Sequence, residues 1–313
     1  MRGGQPLRTA GVTALAPAVW GSTYLVATEW LPPDRPLLAT TVRALPGGLI
    51  LLALTRVLPT GRWWWRSLVL GTLNIGAFNV LLFVAAYRLP GGIAATLMAV
   101  QPMIVLLLAA LLLGDRIRVA HVVACLLGAA GVAMLVLRGT AALDAAGVVA
   151  ALAAATCMAA GITLTKRWGR PSRIGLLPFT GWQLVAGGLV ALPVTLVLEG
   201  LPATLTGPNV IGFGYLISLG AVLSYALWFR GIERLPALAV SFLALGSPIV
   251  ATLLGYLFLR QTLSLVQLVG VIAITVAVLL AQPRPPQPRW HPAAPPGPTS
   301  AVGAGVVPGP SAD

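Results

Sequence analysis

Charge is what this chain of 313 residues has least of. Asp, Glu, Lys and Arg make up 9% of it, while hydrophobic residues make up 58% and mean hydropathy is +0.93. Soluble domains carry about 25% charged residues. A water-soluble fold is therefore excluded, because so few charges cannot cover the surface this much apolar material would present. Histidine occurs twice, at His121 and His291, and cysteine twice, at Cys125 and Cys157. Neither cysteine has CxxC spacing or a second ligand type beside it, so no metal site, disulfide or cofactor is expected. Each reads as a small apolar side chain. Acids are equally scarce: Glu29, Asp34, Asp115, Asp144, Glu199 and Glu233 all fall near the ends of apolar runs. No carboxylate is placed to carry protons deep in a bilayer. A Walker-type phosphate loop is absent too, which excludes ATP hydrolysis by this chain.

What is present in quantity is long apolar sequence. Runs near the length an α-helix needs to cross the hydrocarbon core, about 20 residues, can be placed ten times: 9–30, 36–58, 67–88, 90–113, 119–137, 143–165, 174–198, 209–229, 236–259 and 263–281. The first is too long for the apolar stretch of a cleaved signal and is expected to stay as a helix. A formal net charge of +13 taken alone would suggest nucleic acid. The basic residues gather instead in short clusters between runs, as on the anionic face of a lipid bilayer, so nucleic acid is not an expected partner. With the N-terminus inside, fifteen Lys and Arg fall on the cytoplasmic side and four on the other, with Arg43 left inside a span. Both termini are thus expected to be cytoplasmic. Ala-, Gly- and Arg-rich usage with a single lysine points to a bacterial cytoplasmic membrane. From 283 to 313 the sequence turns to Pro, Gly, Ser and Ala, the composition of a disordered tail.

The runs are duplicated. Arg88-Leu89-Pro90 recurs as Arg234-Leu235-Pro236, and Pro102 as Pro248, at a shared spacing of 146 residues. Gly47-Gly48-Leu49 recurs as Gly187-Gly188-Leu189 at a spacing of 140. The organisation that follows is a short cytoplasmic segment (1–8), a first five-helix unit (9–138), a second (139–282) and the tail. An odd number of crossings inserts the second copy upside down, so an all-α membrane protein of ten helices in two inverted-topology repeats is expected. The glycine pairs are expected to let helices approach closely inside each repeat.

Five sequence features resemble the EamA-type family of the drug/metabolite transporter superfamily. They are Trp20-Gly21-Ser22, Arg43, the Arg88-Leu89-Pro90 entry with Pro102 beyond it, the Leu113-Gly114-Asp115-Arg116 exit, and Trp182-Gln183. The resemblance covers residues from about 9 to 281. It implies ten helices in two inverted repeats and secondary movement of small metabolites, often export. The chain departs from the family where Asp115 replaces a common Glu and where Gln261, at the matching position of the second half, offers no carboxylate.

Polar groups inside apolar runs are the candidates for contact with a small-molecule solute. Pro102 and Pro248 lack an N–H, which deprives the carbonyls of Met98 and Ala244 of their helical partners and suggests hinges beside a central cavity. Arg43 lies about seven residues into its span, a depth of about 10 Å, where it must face protein or water. It can attract a solute carboxylate or act as a structural or gating group. Trp20 offers an apolar wall and one donor, and Gln101 offers donor and acceptor. Tyr24, Asn74, Asn79, Gln183, Tyr225, Trp228 and Ser247 complete the solute-facing set, with interhelical hydrogen bonding as the rival role of each. Trp63-Trp64-Trp65, between Arg62 and Arg66, reads as an interfacial anchor. The function these residues suggest is secondary export of amino acids or related amphipathic solutes, by a monomer or a homodimer. The alternative is a membrane enzyme acting on lipid-linked substrates, which would need reactive His, Asp, Glu or Cys at depth.

Overall fold

A backbone surrounded by apolar side chains for twenty residues has no hydrogen-bond partner but itself, and each long run accordingly folds as a helix. The computed structural model describes residues 5–33, 35–89, 97–136, 144–258 and 264–282, and these are all-α. Outside the described residues lie Pro90, Arg138, Arg260, Gln261 and the 283–313 tail, along with the side chains of Tyr24 and Tyr87.

In chain order the helices are α1 (Gln5–Trp30), α2 (Pro36–Thr55), α3 (Trp63–Gly71), the π-helical turn π1 (Thr72–Gly76) and α4 (Ala77–Arg88). Then come α5 (Gln101–Leu113), α6 (Val119–Val136), α7 (Ala145–Trp168), α8 (Leu176–Leu198) and α9 (Gly207–Tyr215). Last are π2 (Leu216–Leu223), α10 (Ser224–Arg234), α11 (Ala237–Leu243), α12 (Gly246–Phe258) and α13 (Leu265–Ala281). Among the described residues, six helical stretches, including Trp63–Ala86, Gly207–Arg234 and Ala237–Phe258, are long and apolar enough to cross a membrane, and Gln101–Leu113, Val119–Met134 and Leu265–Ala281 are shorter apolar helices. The chain is a multi-pass membrane protein in contact with lipid.

Side-chain acceptors cap several of the helix starts. Asp144 accepts from the Gly147 N–H at 2.7 Å, and Thr206 with Asn209 and Ser264 with Gln267 form capping boxes. The start of α2 is capped from far along the chain: Glu199, at the end of α8, accepts from the N–H groups of Leu37 and Leu38 at 2.8 and 2.7 Å. Arg35 closes the clamp by donating to the Glu199 and Gly200 carbonyls.

Glycine sets how the helices pack, and here the structure corrects an expectation. The glycine pairs join helices of different halves, not of the same one. A Cβ on Gly48 of α2 would lie 2.6 Å from the Val185 nitrogen of α8, and one on Gly188 of α8 would lie 2.7 Å from the Leu45 nitrogen of α2. Gly71 and Gly187 meet in the same way between α3 and α8, and Gly131 of α6 sits against the Gly270 carbonyl of α13. With no hydrophobic drive between helices inside lipid, such backbone-to-backbone contact provides the van der Waals attraction. Around these seams α1 packs on α10 and α12, α7 packs on α4 and α5, π2 lies on α2, and π1 lies on α8.

The spans that carry Pro102 and Pro248 are both broken by a turn. Ala99 and Val100 form a turn before α5, and Ala244 and Leu245 form one between α11 and α12. Pro102 therefore occupies the first turn of a helix, where its missing N–H is harmless, and is not a mid-helix kink. The Ala244 carbonyl is not left free as expected: the Ser247 N–H donates to it at 3.1 Å.

The tryptophan cluster divides. Trp64 and Trp65 are exposed, as an interfacial anchor requires, whereas Trp63 turns inward onto Phe179 and Trp182, with ring centroids 5.8 and 6.4 Å away. The Arg66 guanidinium lies over Trp63, Trp65 and Trp168 at 5.2 to 5.7 Å, tying the start of α3 to the end of α7. Arg170 and Glu233 pair at 2.6 Å, and the Lys166 ammonium donates to the Glu233 and Leu235 carbonyls.

Candidate functional site

The two broken turns and π2 meet at a cavity of about 550 Å³. Its wall is drawn from α1, α2, α4, α6, α7 and α10, from π2, and from the two broken turns with the residues beside them. Among the described residues, no Asp, Glu or Lys lines it.

One wall is aromatic. Trp20 meets Tyr225 at 5.1 Å and Trp228 edge-on at 5.2 Å, and Tyr225 stacks on Phe229 at 5.9 Å. The Trp20 N–H was expected to be a donor toward solute. It is instead spent on the Gly220 carbonyl at 3.0 Å, inside π2, so Trp20 contributes a face and not a donor. A π segment shifts the backbone pairing by one residue, which is how a carbonyl there becomes available to a neighbouring helix.

The opposite chemistry sits on α2 and α4. Arg43 donates to Asn79 Oδ1 at 2.6 Å, and Asn79 Nδ2 donates to the Ile75 carbonyl at 2.6 Å. Asn79 is thereby fixed with its acceptor toward the guanidinium. Buried N–H groups of Arg43 (Nε), Gln101 (Nε2) and Trp228 (Nε1) have no hydrogen-bond partner among the described residues. Gln101 and Trp228 are themselves buried, and Ser247 and Pro248 complete this part of the lining.

Of the residues singled out from sequence, the cavity gathers Trp20, Arg43, Asn79, Gln101, Tyr225, Trp228, Ser247 and Pro248. Three do not line it. Pro102 is buried beside the turn, while Asn74 and Gln183 are packed between helices, where Asn74 Nδ2 donates to Gln183 Oε1 at 3.1 Å and Thr165 Oγ1 at 3.2 Å. The Asn74 side chain sits directly on Gly161, so it fills an interhelical notch. The apolar part of the wall was missed, notably Phe78, Phe83, Met98 and Met158. A usable signal did exist: the 146-residue spacing relates Asn79 to Tyr225, Leu82 to Trp228, Met98 to Ala244, Ala99 to Leu245 and Gln101 to Ser247, and all ten line the cavity.

A multi-pass helical protein enclosing a chamber of aromatic and cationic character is built as a membrane transporter. The family model described as the EamA-like transporter family matches residues 8–137 and again 145–281. The chain belongs to that family, as its motifs implied. It is similar to protein PecM of Dickeya dadantii (strain 3937), 49% identical over 267 residues that span 85% of this chain and 90% of that protein. It also resembles the uncharacterized inner membrane transporter YedA of Escherichia coli (strain K12), 29% identical over 84% of this chain and 86% of the other. A solved crystal structure shares the fold with a TM-score of 0.74 at 21% identity, covering 88% of this chain and 96% of its own.

Proposed function

We propose that the protein is a secondary transporter that exports small metabolites, such as amino acids or related amphipathic solutes, across the bacterial cytoplasmic membrane. The observation that carries this reading is the cavity itself, which draws its wall from both halves of a transporter-family chain. Transport proceeds by alternating access between two inverted five-helix repeats with ten crossings and both termini cytoplasmic. Three features support that architecture. The family model matches twice in succession, the cavity residues pair at one spacing, and π1 and π2 occupy corresponding places in the two halves. The packing supports it as well, since exchanging the halves turns the α1 contacts with α10 and α12 into the α7 contacts with α4 and α5. With no acid among the described residues of the cavity, movement down the solute gradient or by exchange fits better than coupling through a buried carboxylate. The relatives whose names state a role are transporters, and nothing favours the enzyme alternative.

The test is a comparison of metabolites released by cells overproducing the protein and cells lacking it, followed by counterflow of the enriched compound in liposomes without ATP. The expected result is flux above empty liposomes, altered by Trp20→Ala or Gln101→Ala in folded protein. Flux equal to that of empty liposomes for every enriched compound refutes the proposal.

A further inference from the structure

The polar groups of the cavity are unevenly spent. The Thr23 and Thr40 hydroxyls donate to carbonyls of their own helices, and Asn79 uses its amide on Ile75 and its oxygen on Arg43. Among what is left over are two groups that can donate but not accept. Arginine carries five N–H groups and cannot accept, and Asn79 takes up one of them. The Trp228 indole likewise can only donate, and it is fully buried with no partner among the described residues. The Gln101 amide adds a donor beside them.

Charge is uneven in the same sense. Arg43 is a permanent cation, and its hydrogen-bond partner among the described residues is a neutral amide; Asp34, the acid nearest to it in sequence, lies outside the described residues. Glu29 is exposed at the end of α1, and Glu199 is committed to the start of α2. A cation in a chamber of low dielectric without a counter-ion raises the local concentration of anions and rejects cations. Lining the same chamber of about 550 Å³ are Trp20, Tyr225 and Trp228, whose faces take up flat apolar bodies.

Taking the cavity to be the solute site, the geometry points to an aromatic or similarly flat apolar anion as the solute. Its carboxylate, or an equivalent acceptor group, pairs with Arg43 and the free Gln101 and Trp228 donors, and its body lies on the Trp20–Tyr225 wall. A zwitterion with an exposed ammonium group, an ordinary amino acid included, is disfavoured, because no acid among the described lining residues receives it, which narrows the proposed solutes to the anionic amphipathic compounds among them. Arg43 is thereby the residue that discriminates solutes by charge.

Three probes share one aromatic body and differ only in charge: 2-naphthoate, 2-naphthamide and 2-naphthylmethylamine. Binding to the detergent-purified full chain is measured by isothermal titration, and their movement is measured in proteoliposomes. The expected result is that naphthoate binds at least tenfold more tightly than the amide, with no binding of the amine. Arg43→Gln, which keeps a donor for Asn79, is expected to abolish the preference for naphthoate over the amide, and Arg43→Lys to restore most of it. Trp228→Phe is expected to weaken both naphthoate and amide. Equal binding of the three by the wild type, an undiminished preference in folded Arg43→Gln, or no binding of any probe overturns the inference. Binding without movement refutes transport and leaves the solute class standing, whereas movement of the amine in preference to the anion refutes the class and leaves transport standing.

Discussion

Replacing Gly188 by alanine places one methyl group into the seam between α2 and α8. The added Cβ would meet the nitrogen, Cβ and Cα of Leu45 at 2.7, 2.7 and 2.8 Å, where ordinary contact begins at 3.4 Å. All three atoms are backbone or attached directly to it, so no rotamer change relieves the clash, and the helices must part by about 0.7 Å. Overpacking of this kind costs about 1–3 kcal/mol, while the gain in helix propensity of alanine over glycine returns about 0.5–1 kcal/mol. The clash wins, because its atoms are rigid, and a net loss of about 1–2 kcal/mol is expected. Gly11→Ala is the matched control, since a Cβ there has nothing within 4 Å. Only the propensity gain should show in that variant. Unfolding of each purified variant in detergent titrated with sodium dodecyl sulfate gives the comparison. If Gly188→Ala unfolds at the same denaturant fraction as Gly11→Ala, the seam is not the close contact described here.

Other consequences can be tested in the same assay. Trp20→Phe keeps the aromatic face but removes the donor to the Gly220 carbonyl, and should cost about 0.5–1.5 kcal/mol. A loss near zero would mean that this hydrogen bond is not formed. Glu199→Ala leaves the Leu37 and Leu38 N–H groups uncapped and should cost about 1–2 kcal/mol, with Glu199→Gln retaining roughly half the cap. A double-mutant cycle over Asn74 and Gln183 should give a coupling of about 0.6 kcal/mol, with neither single variant changing discrimination among solutes. A shift in selectivity would return these two residues to the solute-facing set.

How much of this was legible in the sequence depended on the kind of signal. Apolar length located most of the described helices to within a few residues, although α3 begins at Trp63 and not at 67, because Trp63 packs inward on Phe179, and the start of the 90–113 run lies outside the described residues. The recurrence of Arg88-Leu89-Pro90 and Pro102 led toward the cavity, since the same spacing pairs ten of its lining residues. Facing was not legible. Asn74 and Asn79 lie on the same helical passage, and a helix with apolar residues on all sides gives no periodic mark of which amide turns to a cavity and which to a neighbouring helix. The partner of each glycine pair was hidden for a similar reason: two small residues announce that something comes close without saying what. Nor could sequence show that Trp20 spends its N–H on Gly220, because that depends on a shift in backbone pairing within π2.

The Gly188 contact has one more effect. Leu45, which it touches, lies two residues from Arg43, so the spacing of α2 from α8 also sets where the guanidinium stands relative to Asn79 and the rings beyond. The girth of molecule that the chamber admits is thus governed partly by residues that never meet the cargo. Enlarging the passage by design would start at this remote hydrogen-for-methyl exchange, not at the aromatic lining.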